Sequence, residues 1–181
     1  MAKIKLLVKI DRSSSIRNLV SRQFCRNLSQ QISRGSLTIL RAKQEGRFSV
    51  GVQIVNDRDI AELNRRFMHK SGPTDVLSFP TANGSVYFDH SMVRQHYIGD
   101  IVLSWPAILR QACKRNHWNT QERELYEATT LAIHGMAHLL GHDHRFSKEG
   151  RKMHRLERSV LNHLRIPDIA RPYGLRPVRS N

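Results

Sequence analysis

The amino-acid sequence predicts an α/β fold, of the α+β kind, in which a mixed sheet of about four strands packs with helices. Three observations support this prediction. Apolar residues alternate with lysines near the start, as in a half-buried strand. Strand-like segments are interspersed with helical ones, and the second half of the 181-residue chain is mostly helical in pattern. We expect the most apolar helix, which carries several histidines, to lie at the centre; the order of the strands stays open.

The first half of the chain predicts two strands and two helices. Period-two alternation over residues 3–10 predicts the first strand. A helical stripe follows over residues 16–28, and Gly35 is expected to end this region. Residues 48–55 predict a second strand, and residues 57–67 predict a short helix capped by the Asn-Asp pair at its start.

The second half predicts two strands, a long loop and three helices. In chain order these are a buried strand within 73–80, a loop at 81–97, a strand at 98–103, and helices at 104–114, 119–140 and 147–166. Asn119 is expected to begin the longest helix and Gly141 to end it. We expect one domain over residues 1–166, followed by a basic, proline-rich tail at 167–181 that is predicted to be disordered.

Composition limits the compartment and the kind of site. The chain begins with apolar stretches that lysines interrupt, so no signal peptide is expected, and no segment is apolar for long enough to cross a membrane. Two cysteines, Cys25 and Cys113, support neither a disulfide framework nor a thiolate metal cluster. The predicted compartment is therefore the cytoplasm.

The net charge of +15 is concentrated at the two ends of the chain. Residues 1–44 contain ten Lys or Arg against the single acid Asp11, and residues 145–181 contain ten against three acids. Such a distribution favours a polyanionic partner, because contacts between cationic side chains and phosphates release counterions. A solvated basic surface without a specific partner is the alternative.

Three histidines near the end of the longest helix predict a metal site. His134 and His138 are four residues apart, so they share one face of the helix. Gly141 permits a left-handed turn that can bring His144 back as a third ligand. Three imidazoles with a position left for water are typical of a catalytic zinc site. His142 and Asp143 are not assigned as ligands.

The histidine spacing also occurs in zinc proteases, with one difference. Gly135 occupies the position where those enzymes carry the glutamate that acts as general base. A bound ion could still polarise a phosphoryl oxygen and lower the pKa of water to ~7, as phosphodiester hydrolysis requires. A metalloprotease therefore remains a less favoured alternative.

Residues 134–144 closely resemble the signature of the YbeY family, bacterial zinc-dependent endoribonucleases of ribosomal RNA maturation. Leu63, Asn64, Lys70 and residues 73–80 resemble a second family block, and residues 99–102 a third. These blocks cover residues 50–165 in the family's order and spacing. No known motif is recognised in the first 45 residues or in the tail.

The resemblance implies an endoribonuclease that cleaves single-stranded RNA, matures the 3′ end of 16S rRNA and acts in ribosome quality control. Implied partners are ribosomal RNA and the small ribosomal subunit, with a small-subunit ribosomal protein or an assembly GTPase as protein partner. Met68 stands where the family has an arginine that helps the site act on RNA. Arg65, Arg66 and Lys70 are the candidates to supply that charge and bind RNA.

These observations lead to one mechanism and leave several roles open. His134, His138 and His144 are predicted to hold one Zn²⁺. His134 is assigned as the catalytic residue because it would hold the ion whose bound water reacts. No other residue is assigned as a general base. Either that water or the 2′-hydroxyl of the RNA could be the nucleophile. Asp75 and Asp100 could support the site or cap turns. The non-enzyme alternative is an RNA-binding ribosome-assembly factor with a structural zinc.

Overall fold

The strands of the computed structural model form one mixed sheet. The structure describes residues 5–40, 47–81, 95–113, 119–144 and 147–166. Within them the strands are β1 (Lys5–Arg12), β2 (Arg47–Val55), β3 (Val76–Pro80) and β4 (Gln95–Ser104). The order across the sheet is β1-β2-β4-β3; β1, β2 and β4 run parallel, and β3 pairs antiparallel with β4. The predicted α/β class with a four-stranded mixed sheet is confirmed.

Five α-helices in the same segments pack with this sheet. They are α1 (Arg22–Leu40), α2 (Asp57–Met68), α3 (Trp105–Ala112), α4 (Thr120–Leu139) and α5 (Ser147–His163). A main core joins the inward side chains of β1, β2 and β4 to α1, α3 and α4. A smaller core joins α2 to the sheet through Val55, Ile60, Leu77 and Val102.

Helix α4 packs against more of the structure than any other described helix. It contacts α1, α3, α5 and the strands β3 and β4, and nearly every residue in its second half is buried. The Asn119 side chain accepts a hydrogen bond from the backbone N–H of Glu122 at 2.9 Å, which caps the first turn as the sequence predicts. The second half of α4 can be apolar on nearly all sides because neighbouring elements cover it, whereas its first turns are polar and face solvent.

Two predictions about local structure are wrong. Gly35 does not end α1, which continues to Leu40. A Cβ at Gly35 would lie 2.9 Å from Val160 Cγ1 and 3.0 Å from Ile133 Cδ1, so the glycine lets α1 approach α4 and α5 closely. The predicted loop at 81–97 overlaps β4, which begins at Gln95 because residues 95–97 pair with β2.

The remaining element predictions agree with the structure within a few residues, except that the first helix begins six residues later than the predicted start at Ile16. Asn56 caps α2, accepting a hydrogen bond from the Asp59 N–H at 2.7 Å. A short 3-10 turn, Ser14–Ile16, occupies the start of the predicted first helix, and α1 begins at Arg22. The rest of the predicted loop, residues 82–94, and the predicted tail lie outside the described residues, so the proposed division at residue 166 stays a prediction. No helix in the described segments combines the length and apolarity needed to span a bilayer.

We predict that Gly35→Leu lowers the free energy of unfolding by about 1–3 kcal/mol, because the new side chain must displace atoms of α4 and α5. Arg34→Leu is the matched control, since Arg34 is exposed on the same helix and surface changes usually stay within about 0.5 kcal/mol. Chemical denaturation of both variants measures the difference. Equal stability of the two variants would contradict the close approach of the helices.

We also predict a pH-dependent contribution from Asp57, the first residue of α2. Its carboxylate accepts hydrogen bonds from Arg110 Nη1 and from the Ser104 hydroxyl, both at 2.6 Å. The bond from Arg110 is the largest cause that lowers the Asp57 pKa; burial opposes it, and Ser104 adds to it. Asp57→Asn should therefore cost about 0.5–1 kcal/mol at neutral pH.

The sign of this effect follows from the lowered pKa. The stabilisation from Asp57 is complete above the carboxyl pKa of the unfolded chain, about 4, and is lost as the pH falls through the lower folded-state value. Denaturation curves of the wild type and Asp57→Asn should therefore converge below about pH 4. A difference that persists unchanged at low pH would show that the ionised carboxylate is not its cause.

Candidate metal centre

Helix α4 presents two histidines on one face, as their spacing predicts. The Nε2 atoms of His134 and His138 lie 3.2 Å apart, and the two rings are nearly perpendicular, at 86°. His134 is buried, with 7% of its surface exposed, whereas His138 is half-buried. One nitrogen of each ring therefore points toward the same small volume.

A glycine turn returns the chain and adds the third histidine. Gly141 has a φ of 85°, in the left-handed region. Its N–H donates to the His138 carbonyl at 2.9 Å, and the His142 N–H donates to the Ala137 carbonyl at 3.0 Å. This pair of bonds is the Schellman motif, which satisfies the last carbonyls of a helix. The chain then reverses, and the His144 ring lies 5.0 Å from the His138 ring, centroid to centroid.

The three imidazoles fit a single metal ion. One nitrogen from each of His134, His138 and His144 lies within 4.8 Å of the others. Ligand nitrogens around a tetrahedral ion lie about 3.3–3.4 Å apart when each bond is about 2.0–2.1 Å, as for zinc. The 3.2 Å separation of the two Nε2 atoms on α4 is close to that value. The cluster therefore has the donor type and spacing of a three-histidine metal site.

The electrostatic environment keeps His138 neutral, which is the form that binds a metal. Burial, and then electrostatic repulsion from the neighbouring imidazoles of His134 and His144, lower the pKa of His138 to about 4. A neutral imidazole presents a nitrogen lone pair, so binding of a cation does not first require loss of a proton at neutral pH.

Glu157 orients His134 and was missed by the sequence analysis. Its Oε1 lies 2.7 Å from His134 Nδ1, and only 5% of Glu157 is exposed. A carboxylate at this distance accepts the Nδ1 proton, which leaves Nε2 free to bind a metal. One signal was available in the sequence: Glu157 is four residues after Met153 and three before Val160, on the apolar stripe of α5.

The histidines lie in an open cleft of about 670 Å³. One side of the cleft is the turn after α4, including Gly141 and Asp143. The other side comes from the end of α2, the loop that follows it, and β3, with these residues: Asn64, Met68, Lys70, Thr74, Asp75, Val76, Leu77, Ser78 and Pro80. A substrate can reach the metal-binding nitrogens through this opening.

Comparison with known proteins relates this chain to a protein family. The sequence profile of the family described as Endoribonuclease YbeY matches residues 11–165. The chain belongs to the endoribonuclease YbeY family. The family match begins well before residue 50, where the recognised motifs start. It confirms that the chain is related to hydrolases that act on RNA.

Two proteins of that name and one solved structure are similar to this chain. Endoribonuclease YbeY of Chloroflexus aurantiacus is 34% identical over 142 residues, which cover 77% of this chain and 88% of that protein. The protein of the same name from Roseiflexus sp. is 39% identical over 99 residues, 55% of this chain and 59% of that protein. A solution structure from Thermotoga maritima aligns with 96% of this chain at 22% identity, with a TM-score of 0.45.

The three candidate RNA-binding side chains lie in different places relative to the YbeY cleft. Lys70 lines the cleft, next to the metal-binding histidines in the same opening. Arg65 lines a separate depression beside α2 and forms an exposed ion pair with Glu62 at 2.6 Å. The Arg66 guanidinium carbon lies 5.3 Å from the centre of the Phe67 ring. Of the three, Lys70 is best placed to supply a positive charge in the cleft, where the Met68 side chain carries none.

The two candidate aspartates also differ in position. Asp75 lines the cleft, but its carboxylate accepts hydrogen bonds from its neighbour's N–H at 2.9 Å and from Gln111 at 3.1 Å. These contacts favour the turn-capping role. Asp100 accepts a hydrogen bond from Tyr97 and lies above Gly51 of β2. It does not line the histidine cleft.

The packing around Gly135 separates the YbeY site from that of a zinc protease. A Cβ at Gly135 would lie 3.0 Å from both Ser78 Oγ and Ile101 Cγ2. A glutamate at this position would have to push aside the Ser78 and Ile101 side chains, because α4 and the sheet are closely packed here. The structure therefore excludes a general base at the position where a protease requires one.

We predict that Glu157→Gln lowers metal affinity by about 10-fold, because the neutral amide is a weaker acceptor for the His134 Nδ1 proton. Glu149→Gln is the control, since Glu149 is exposed near the start of the same helix. Competition with a chromophoric zinc chelator measures both affinities. An unchanged affinity in a folded Glu157→Gln protein would exclude the orienting role.

Proposed function

We propose that the protein is a zinc-dependent endoribonuclease that cleaves single-stranded ribosomal RNA. The observation that carries this proposal is an accessible three-histidine cluster in the cleft of a YbeY family member. We propose that it matures the 3′ end of 16S rRNA and acts in ribosome quality control. Its partners would then be the small ribosomal subunit and a small-subunit ribosomal protein or assembly GTPase.

His134, His138 and His144 are the ligands for one Zn²⁺ in this proposal. Three neutral imidazoles suit zinc, and three protein ligands leave a coordination position open. When bound, the ion supplies a Lewis acid that polarises a phosphoryl oxygen and acidifies water near neutral pH. Glu157 holds the Nδ1 proton of His134 so that Nε2 faces the ion, and His134 is the catalytic residue on this account.

The cleft residues support binding of an RNA backbone. The Lys70 ammonium is exposed in the wall of the cleft and would contact a phosphate. Further cations cover the solvent face of α5, with Glu149 near the start of the same face: Lys148, Arg151, Lys152, Arg155 and Arg158. The high density of positive charge favours a polyanion over a neutral or acidic substrate.

One observation favours the alternative of a non-catalytic RNA-binding assembly factor. Met68, 38% exposed, lines the cleft with an apolar side chain where the family has an arginine. Against this alternative, His138 and His144 are only half-buried, whereas a structural zinc normally has four protein ligands and no open position. The endoribonuclease therefore remains the better-supported function.

We predict that the wild-type protein binds about one zinc per chain and cleaves a single-stranded rRNA fragment. His134→Ala should lose most of the zinc and slow cleavage by at least about 100-fold, because the ion loses its buried ligand. His163→Ala is the control, since this exposed histidine at the end of α5 lies outside the cleft.

Two other results would each change the conclusion. Zinc in the wild type without cleavage would favour the assembly factor. Full cleavage by zinc-free His134→Ala would exclude the proposed metal chemistry. The ends of the products identify the nucleophile: a cyclic phosphate indicates the 2′-hydroxyl of the RNA, and a 3′-hydroxyl indicates water.

A further inference from the structure

A half-exposed aromatic ring stands at the end of α2, beside the metal cleft. Phe67 is 50% exposed, and its ring packs edge-to-face on Phe79 of β3, with centroids 5.2 Å apart. The free energy gained by burying an aromatic ring is large, so a phenylalanine left half in water offers a favourable contact surface to a partner.

The ring is part of a rigid segment. His69 ends α2 in the left-handed conformation, with a φ of 55° and its N–H bonded to the Asn64 carbonyl. The buried Asn64 side chain donates to the Gly72 carbonyl at 3.0 Å, which fixes the loop after the helix. Phe67 is therefore held in place before any ligand arrives, which reduces the entropy cost of binding.

The neighbours of this ring border the cleft on two elements. Met68, the residue after Phe67, lines the cleft on the α2 side, and Ser78 and Pro80 line it on the β3 side. Phe79, between Ser78 and Pro80, points to the opposite face of β3, where it packs with the α2 core and with Phe67. Because β3 is the last strand of the described sheet, a chain that leaves the cleft beside Met68 and passes round the end of α2 would reach Phe67 on that face.

The chemistry of this surface matches a nucleotide. The Arg66 guanidinium lies 5.3 Å from the Phe67 centroid, which combines a flat apolar face with a positive charge. Single-stranded nucleic acid is bound by this combination, since bases stack on aromatic rings while cations contact the backbone. A protein partner would need acidic side chains to match these cations. The cations of the cleft wall would gain less binding energy from such a partner than from the phosphates of a nucleic acid.

We propose that Phe67 and Arg66 form a stacking site for one nucleobase of a single-stranded RNA that continues from the histidine cleft past Met68 and round the end of α2. This proposal rests on the proposed function for the identity of its substrate class. Phe67 supplies the stacking surface, Arg66 contacts the base or the neighbouring phosphate, and the histidines take no part in this contact.

The test measures binding separately from cleavage. Fluorescence anisotropy would compare a 2′-O-methyl single strand of about ten nucleotides with strands that carry one abasic residue at each position in turn. For the wild type, one abasic position should weaken binding roughly 10-fold. In Phe67→Ala the full strand should bind about 10-fold more weakly, and the abasic residue at that position should have no further effect.

Four further variants separate stacking on the ring from other contacts. Phe67→Leu preserves apolar contact with Phe79 but lacks a ring, so it should bind like Phe67→Ala; Phe67→Trp should restore binding. Tyr97→Ala is the matched control, because Tyr97 is a similarly exposed aromatic, at 48%, that lies on β4 rather than at the end of α2. Arg66→Ala should lower the salt dependence of binding, whereas Phe67→Ala should leave it unchanged.

Clear outcomes would overturn the stacking site. Three results would do so. The wild type could fail to bind the single strand, Phe67→Leu could bind it as tightly as the wild type, or the abasic residue could weaken binding equally in the wild type and in Phe67→Leu. Either of the last two results would instead favour a protein partner at this surface. Failure of the proposed function is distinct: a protein that shows the Phe67-dependent abasic effect but never cleaves RNA retains the stacking site and loses the nuclease assignment.

Discussion

The close packing of α4 between the sheet and its neighbouring helices determines the geometry of the whole site. Gly135 brings the helix onto β3 and β4 on one side, and Gly35 lets α1 approach Ile133 on another. With larger residues at these two contacts, the rings of His134 and His138 would move away from the β3 wall. The cleft exists because one side of α4 lies directly against the edge of the sheet while its end remains open.

The buried hydrogen bond between His134 and Glu157 is a polar contact inside this apolar packing, and each side chain needs the other as its partner. A carboxylate that is 95% buried is costly unless it is hydrogen-bonded, and the His134 ring supplies that bond at 2.7 Å. The pair thus links the position of α5 to the orientation of one imidazole. Helix α5 positions the site from a residue that never enters the cleft.

Local patterns predicted what depends on neighbours in sequence. The alternation in β1 and β2, the asparagine caps of α2 and α4, and the turn at Gly141 all follow from a few adjacent residues, and the histidine trio follows from the helical repeat. Contacts between distant elements were not predictable in this way. Gly35 resembles a helix end unless α4 and α5 are known to pack there, and Glu157 pairs with a residue 23 positions earlier. Only Lys70 of the three candidate cations lines the cleft, because the loop after α2 redirects the chain.

The pairing of β3 has a consequence for the order in which the chain can fold. Among the described strands, β3 pairs with β4 alone, which comes later in the chain, and it is covered by α4, later still. During synthesis, β3 therefore leaves the ribosome before both β4 and α4. Only its α2 face, with Leu77 and Phe79, can be covered at once, and the face toward the histidine helix stays uncovered until that helix has followed. Contacts between such distant segments also slow folding. The nascent chain thus acquires its cleft wall and its histidine cluster together, so a product truncated before α4 has neither a finished sheet edge nor the three histidines.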